Sequence, residues 1–317
     1  MVPTSLFDRG KVLITVGLNE SVSKAVAPHV PYGPEEVAQA AADCATAGAA
    51  GVHVHARRAD GSQDMRGSQI YRKALSLTAS MCDVVMWTTG YSTLADPTDL
   101  DDLPHQWELV DDPPDGAGLE FGCFDAFRIG SRPAWSSAEG RFMPIGDDWT
   151  VDRTGTYNTP RVLAEMLRRR LSPVFCCYDF ADARWASCAM RAGVLPDPTL
   201  VQLHIFAETM IGPSATVANL DAFVSEARVE ARPEVSFVGF QFPTRHAYEN
   251  MLREALSRGC HVRVGIGDAG ALYPDWTNAD VVSRAVEIVQ SMGLEPATPA
   301  EMRQHFLRVF SDRTPTT

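Results

Sequence analysis

Short apolar runs alternate along the chain with longer segments in which apolar residues recur at helical spacing. The first run, 12–18, is apolar apart from one threonine, and a helical segment from Pro34 to Ala47 follows it. That segment opens with a proline and two glutamates and stops at Gly48, as is typical of helix ends. The same pattern predicts seven further strands, at 51–56, 84–89, 119–121, 174–178, 200–205, 235–240 and 261–266.

Helical segments follow most of these strands. After the first helix they lie at 68–80, from 159 onward, and at 182–192, 217–227, 245–257, 281–292 and about 300–310. This alternation predicts parallel strands joined by crossover helices, and eight such units close naturally into a (β/α)8 barrel. We expect a single barrel domain with loop insertions over 1–317. An open doubly wound sheet is the alternative, disfavoured because no Gly-x-Gly-x-x-Gly follows the first strand.

The middle of the chain departs from this regular pattern. Residues 92–116 are rich in aspartate and proline, which predicts a long surface insertion. Residues 131–156 predict a second loop, with Trp135 and Trp149 among its packing points. Thr159, followed directly by a proline, predicts the start of the next helix.

Composition narrows the class of protein. With 45% hydrophobic and 21% charged residues, the 317-residue chain is an ordinary globular one. A net charge of −12 without any basic cluster argues against nucleic acid as a partner. No apolar run approaches the ~20 residues of a membrane span, and the N-terminus lacks the apolar core of a signal peptide. We expect a cytoplasmic protein with no membrane partner, whose seven scattered cysteines are reduced thiols.

The second strand carries the first candidate chemistry. Val52 and Val54 alternate there with His53 and His55, so the two imidazoles share one face of the strand. Two histidines spaced in this way bind a metal ion when a third ligand converges on them. Two satisfied histidines on a half-buried strand are the alternative. The position at the carboxyl end of a barrel strand, where active sites form, favours the metal.

Other polar residues fall at the same ends of the predicted strands. They are Asn19, Glu20, Thr88, Thr89, Asp179, His204, Arg263 and Asp268. Both threonines and Asp179 fit helix caps equally well, and His204 fits a core residue better than a ligand. Arg263 lies between two valines, so it needs an acidic partner inside the fold, and Asp268 is the nearest in sequence.

These residues indicate metal-assisted chemistry on a carbonyl group. A divalent ion on two imidazoles polarises a keto oxygen, Arg263 could hold a substrate carboxylate, and Glu20 or Asp268 could move a proton. An aldolase that uses a lysine Schiff base is disfavoured, because only Lys24 of the three lysines falls in a loop near these ends.

Several stretches resemble the β-keto acid cleavage enzyme family. They run in the same order over nearly the whole chain, and are 13–15, 31–36, 47–49, 53–57, 88–90, 157–160, 261–265 with Asp268, 277–279 and 297–300. The resemblance implies a zinc-dependent (β/α)8 barrel that converts a β-keto acid and acetyl-CoA into acetoacetate and a new acyl-CoA. It also suggests a homodimer or homotetramer.

The resemblance also implies roles for individual residues. His53 and His55 match the zinc ligands, while Arg263 and Asp268 match a pair that helps to form the enolate. Glu20 matches a catalytic acid, and Thr88 sits where the family has a small hydroxyl residue that contacts substrate.

One departure from the family pattern concerns the metal. Gly267 stands where the family has its third zinc ligand, a glutamate. Three alternatives follow: Asp268, Glu20 or another carboxylate reaches the metal; two histidines, water and substrate hold it; or the barrel has lost both zinc and catalysis. A metal-dependent lyase or hydrolase that does not use CoA is the remaining functional alternative.

Residues 121–125 also differ from the family, which suggests a different substrate.

Overall fold

A computed structural model describes residues 5–64, 67–89, 104–114, 117–125, 134–136, 141–143, 155–209 and 212–311. Its strands are β1 Lys11–Val12, β2 Ile14–Gly17, β3 Gly51–Val54, β4 Val85–Thr88, β5 Phe121–Asp125, β6 Ala134–Ser136, β7 Arg141–Met143, β8 Ser172–Cys177, β9 Leu200–Phe206, β10 Glu234–Phe240, β11 His261–Val264 and β12 Glu295–Pro296. Its helices are α1 Gly33–Ala47, α2 Ser68–Met81, α3 Pro104–Asp111, α4 Gly155–Arg168, α5 Phe180–Arg191, α6 Val217–Ala227, α7 Arg245–Ser257, α8 Ile266–Ala269, α9 Asn278–Ser291, α10 Pro299–Phe306 and α11 Arg308–Ser311.

Eight of the strands form one parallel sheet, in the order β4-β3-β2-β11-β10-β9-β8-β5. The two outer strands of this order, β4 and β5, also contact each other, so the sheet curves into a nearly closed barrel. Helices such as α1, α5, α6 and α9 surround it. This architecture confirms the predicted (β/α)8 fold and places the carboxyl ends of all eight strands at one mouth.

Side chains alternate along each strand between the two faces of the sheet, so one core lies between the sheet and the helices and another lies inside the barrel. Val52 and Val54 belong to the large cluster between the sheet and the helices. His53 points the other way, into the barrel, where its ring lies 5.9 Å from that of Trp87. Cys176 and Cys177 divide in the same manner between the inner and the outer cluster. All seven cysteines are thiols, as expected.

The irregular middle differs from the expectation in four places. Within the expected surface insertion, α3 packs against α2 and fully buries Leu109, because that helix covers the third barrel unit. The fourth barrel strand, β5, lies a little later than predicted, since Gly122 and Asp125 interrupt its apolar run.

The start of α4 was also predicted too late. The helix begins at Gly155, and Pro160 lies inside it at the cost of one intrahelical hydrogen bond. Part of the expected second loop pairs as the antiparallel hairpin β6–β7, which contains Trp135, whereas Trp149 lies outside the described residues. Among the described helices, none has both the length and the apolar character needed to span a membrane.

A buried ionic cluster closes the amino-terminal end of the barrel. The Glu234 carboxylate accepts hydrogen bonds from the backbone N–H of Leu6 at 2.7 Å and from His261 Nε2 at 3.0 Å. His305 Nε2 lies 2.6 Å from Oε1, the oxygen that also accepts the Leu6 N–H. Nδ1 of His261 accepts the N–H of Leu13, which places its proton on Nε2. One carboxylate therefore joins the N-terminal segment, two strands and the C-terminal helix α10.

Burial alone would raise the pKa of Glu234, but its contacts with His261 and His305 outweigh burial and hold that pKa far below its usual value. A depressed pKa stabilises the folded state fully above the unfolded-state value of ~4.3. The stabilisation is lost as the pH falls through the lower folded-state value. Glu234→Gln should therefore reduce the free energy of unfolding at pH 7 by about 2–4 kcal/mol.

Urea denaturation of both proteins between pH 2 and pH 7 measures this effect. The difference from the native chain should shrink as the pH falls below ~4.3. Glu295→Gln is a matched control, because the Glu295 side chain is 73% exposed in its ion pair with Lys11. Equal unfolding free energies for the two variants across the whole range would contradict the account of the cluster.

Candidate active site

Three side chains converge at the carboxyl end of the barrel in a geometry suited to a metal ion. Nε2 of His53 lies 3.3 Å from Oε1 of Glu20, and Nε2 of His55 lies 2.7 Å from Oε2. One ligand atom from each residue lies within 4.8 Å of the other two. In the described part of the chain, no other three His, Cys, Asp or Glu side chains converge in this way.

The loop after β2 holds Glu20 in this position. Glu20 has φ 31°, a left-handed conformation that is costly for a residue with a side chain and that neighbouring contacts must maintain. The Asn19 amide bonds the backbone of His55 in both directions, through its Oδ1 at 2.9 Å and its Nδ2 at 3.0 Å. Arg57 donates to the carbonyls of Asn19, Glu20 and Val22. The loop is thus fixed to the end of the histidine strand.

Arg263 and Asp268 form a buried pair beside these residues. Nε and Nη2 of Arg263 donate to the two Asp268 oxygens at 3.0 and 2.8 Å. Nη2 also contacts Glu20, which joins the pair to the histidine cluster. Gly17 leaves room for this arrangement, because a Cβ there would lie 2.6 Å from Cγ of Asp268. The predicted partnership of Arg263 and Asp268 is therefore present in the fold.

Charges in the cluster favour a cation at its centre. Burial alone would raise the pKa of Glu20, but His55, Arg263 and His53 outweigh it and hold the pKa well below its usual value. Burial lowers the pKa of His53 and keeps that ring neutral. Burial also opposes the charge on His55, but its contact with Glu20 outweighs burial and raises the pKa. Both histidine Nε2 atoms thus face a carboxylate that carries a negative charge, which is the arrangement that a metal ion requires.

The Asp268 carboxyl is poised for proton transfer. Burial raises its pKa to about 7, while the adjacent Arg263 guanidinium opposes that rise. The pKa of Arg263 is itself raised, because the two carboxylates outweigh the effect of burial, so this residue stays charged. A carboxyl group with a pKa near neutrality can accept and release a proton at physiological pH.

Gly267 cannot supply the third metal ligand, and the backbone shows why. A Cβ on this residue would lie 2.5 Å from the carbonyl oxygen of Gly17 and 2.6 Å from the N–H nitrogen of Asn19. The loop after β2 therefore occupies the space that a side chain at 267 would need. The same loop carries Glu20, so the carboxylate that faces the two histidines comes from the loop after β2. Two imidazoles and one carboxylate fit the preference of a catalytic zinc ion.

Two residues that the motif analysis did not single out support the cluster. Gln63 Oε1 lies 3.0 Å from Nδ1 of His55 and accepts a hydrogen bond from it. This bond directs the other ring nitrogen, Nε2, toward Glu20. Gln63 also donates to Ser21 in the Glu20 loop. Arg57 ends the His-x-His-x-Arg stretch, so its spacing was visible in the sequence, but nothing there indicated its bonds to loop carbonyls.

The remaining sequence candidates have other surroundings. Thr88 shares the outward face of β4 with Met86, opposite Trp87, so the structure does not bring it to the cluster. Thr89 is the residue that alternates onto the inward side. Asp179 caps α5 through the N–H groups of residues 181 and 182, which confirms the capping alternative. His204 is 3% exposed and is not one of the metal-facing residues.

Two known enzymes are similar to this chain over nearly its whole length. The 3-keto-5-aminohexanoate cleavage enzyme of Fusobacterium nucleatum is 28% identical over 301 residues, covering 93% of this chain and 97% of that protein. The 3-dehydrocarnitine:acetyl-CoA trimethylamine transferase of Rhizobium meliloti is 27% identical over 317 residues, covering 91% of this chain and 92% of the relative.

Solved structures agree on the architecture. The apo structure of ObcA superposes with a TM-score of 0.65 at 15% identity and covers 88% of this chain. The chain spans 65% of the length of ObcA, and at this identity the likeness shows the fold alone. The model of the beta-keto acid cleavage enzyme family matches residues 11–307, nearly the whole chain, and the protein belongs to that family.

Proposed function

We propose that the protein is a zinc-dependent β-keto acid cleavage enzyme that uses acetyl-CoA. C2 of the β-keto acid forms a bond with the acetyl carbonyl carbon, and CoA leaves as the thiolate. The thiolate then adds to the original keto carbon, and the bond between that carbon and C2 breaks. The products are acetoacetate and an acyl-CoA that carries the rest of the substrate.

One observation carries this proposal: Glu20, His53 and His55 converge at the catalytic end of a barrel that belongs to this family. The three residues would hold the metal. A bound divalent ion supplies a Lewis acid that polarises a keto oxygen. Gln63 keeps the His55 ring in the tautomer that leaves Nε2 free to bind, and the loop contacts of Asn19 and Arg57 keep the carboxylate in place.

Asp268 is the group that we assign to proton transfer. It takes the proton from C2 as the enolate forms, and its raised pKa lets it return that proton to C2 when the bond to the original keto carbon breaks and acetoacetate is released. Arg263 fixes both oxygens of Asp268 and places a positive charge beside the enolate. The guanidinium also meets Glu20 and, at 3.4 Å, Gln202, so it is not free for a bidentate contact with a substrate carboxylate.

The transfer of the acetyl group tests the activity directly. Purified protein is incubated with a β-keto acid and acetyl-CoA labelled with 13C in the acetyl group, and the products are followed by mass spectrometry. Label should appear at C3 and C4 of acetoacetate and not in the new acyl-CoA. Consumption of the keto acid at the same rate without acetyl-CoA would instead support a lyase or hydrolase.

Removing a histidine ligand should abolish metal and activity together. We expect His53→Ala to purify with far less than one zinc ion per chain and to lose at least ~100-fold in kcat/KM, because a ligand contributes more than the residues that support it. Metal content by mass spectrometry and the labelled assay measure the two effects. His246→Ala, on the exposed part of α7, is the matched control. Full activity in His53→Ala would contradict the metal-centred proposal.

Two variants test which residue supplies the third ligand. Glu20→Gln should weaken zinc binding, because a neutral amide replaces the carboxylate that faces both histidines. Adding Gly267→Glu should not restore zinc, since the backbone at Gly17 and Asn19 leaves no room for that side chain. Competition with a chromogenic chelator measures the affinities, and circular dichroism confirms folding. Recovery of zinc affinity in the folded double variant would show that position 267 remains the ligand site.

A further inference from the structure

A row of aromatic rings forms the barrel wall on the side away from the histidine strand. Tyr178 directly follows β8, His204 and Phe206 lie on β9, and Phe240 ends β10. The Tyr178 and His204 rings stack at 4.6 Å with 11° between their planes. His204 and Phe240 follow at 5.6 Å and 26°, and Phe240 and Phe206 at 4.5 Å and 10°. We name these four residues the aromatic wall.

The strand register places His204 level with Arg263, and the two phenylalanines of the aromatic wall closer to the mouth of the barrel. Val238 is the Cα partner of both His204 and Arg263, on the neighbouring strands. Phe206 and Phe240 are partners of each other two residues further toward the mouth. Both phenylalanines are half-buried, whereas His204 is buried. A substrate that contacts Arg263 and the histidine cluster therefore extends its remaining carbons along this wall.

The stacking direction determines which part of each ring meets the substrate. Rings on neighbouring strands stack along the sheet, so their planes stand nearly parallel and their edges face the barrel axis. Ring edges carry the positive end of the aromatic quadrupole, and within each stacked pair one ring covers a negative face of the other. A cation binds to an open aromatic face, so the stacked faces offer it little. Apolar carbons and flat rings pack well against such edges.

The acidic groups that the structure describes near the wall either cap a helix or face solvent. Oδ1 of Asp179 accepts the N–H groups of Ala181 and Asp182. Oδ2 of Asp182 accepts those of Tyr178 and Asp179. Glu208 lies beyond the end of β9 and is exposed to solvent. These carboxylates cap a helix or face solvent, and the described wall itself carries no formal charge, because burial lowers the pKa of His204 to about 3.

We propose that the aromatic wall selects β-keto acids whose chain beyond the keto group is neutral and apolar, either alkyl or aryl. This inference rests on the proposed function and specifies its substrate class. Phe206 and Phe240 are the residues that determine specificity, since they lie nearest the mouth. The chain of the substrate lies along their edges, and its carboxylate lies toward the cluster of Glu20, His53 and His55.

A matched pair of substrates tests this selection. The acids 3-oxohexanoate and 5-amino-3-oxohexanoate have the same carbon chain and differ by one ammonium group. With acetyl-CoA and the zinc-loaded enzyme, kcat/KM should be about tenfold or more higher for the neutral acid. An aryl substrate, 3-oxo-5-phenylpentanoate, should also exceed 3-oxo-4-(trimethylammonio)butanoate.

Each outcome has a distinct meaning. Equal or higher kcat/KM for the two cationic acids overturns the specificity proposal and leaves the cleavage activity standing. Absence of acetyl-CoA-dependent turnover with all four acids overturns the proposed function itself.

Variants then locate the selection. Phe206→Ala and the milder Phe206→Leu should reduce the ratio of kcat/KM between 3-oxohexanoate and its amino analogue. Phe7→Ala is the matched control, since that half-buried ring lies beside His261 at the amino-terminal end of the barrel and should leave the ratio unchanged. A ratio that is also unchanged in folded Phe206→Ala, Phe206→Leu and Phe240→Ala would overturn the assignment to the aromatic wall.

Discussion

The Glu20 carboxylate is the interaction on which the rest of the active site depends. It contacts His53, His55 and Arg263 at once, and so links the ends of three barrel strands through a single side chain. Such a concentration of charge in a buried site is unfavourable unless every group is paired. The pairing is achieved through a left-handed backbone at Glu20 that the Arg57 guanidinium and the Asn19 amide hold in place. These contacts hold the Glu20 carboxylate in one position despite its unfavourable backbone conformation.

The two ends of the barrel use buried charge for different purposes. At the amino-terminal end, Glu234 accepts several donors, and its network joins the chain termini to the sheet. At the carboxyl end, the carboxylates of Glu20 and Asp268 face two histidines and an arginine, and we propose that this cluster binds a cation and transfers a proton. The cluster at the amino-terminal end stabilises the fold. That stability offsets the cost of the left-handed backbone at Glu20, as expected for the two ends of this architecture.

Much of the fold was predictable because strands buried on both faces appear as short, continuous apolar runs. All eight barrel strands were located in this way, with β5 displaced by a few residues where Gly122 and Asp125 break the run. The helix α3 was missed, since its polar residues resemble those of a loop and only its packing against α2 defines it. Pro160 was taken as a helix start because proline usually occupies the first turn, whereas this one lies deeper in α4.

The active site was predictable in part, and for a physical reason. Strand periodicity alone places His53 and His55 on one face, and an arginine between valines requires an acid such as Asp268. The third ligand was left open among several carboxylates, because no sequence pattern encodes how a loop of this length returns across a strand end. Gly267 appeared to be a missing ligand. In the fold, the lack of a side chain at this position leaves room for the loop that carries Glu20.

The central claim is that Glu20 completes the metal site, and a crystal structure recorded on either side of the zinc absorption edge tests it most directly. The account predicts one anomalous peak at about 2.0–2.2 Å from Nε2 of His53, from Nε2 of His55 and from a Glu20 oxygen. A fully occupied zinc site that Glu20 does not contact, or the lack of any peak at the two histidines in zinc-loaded crystals, would contradict it.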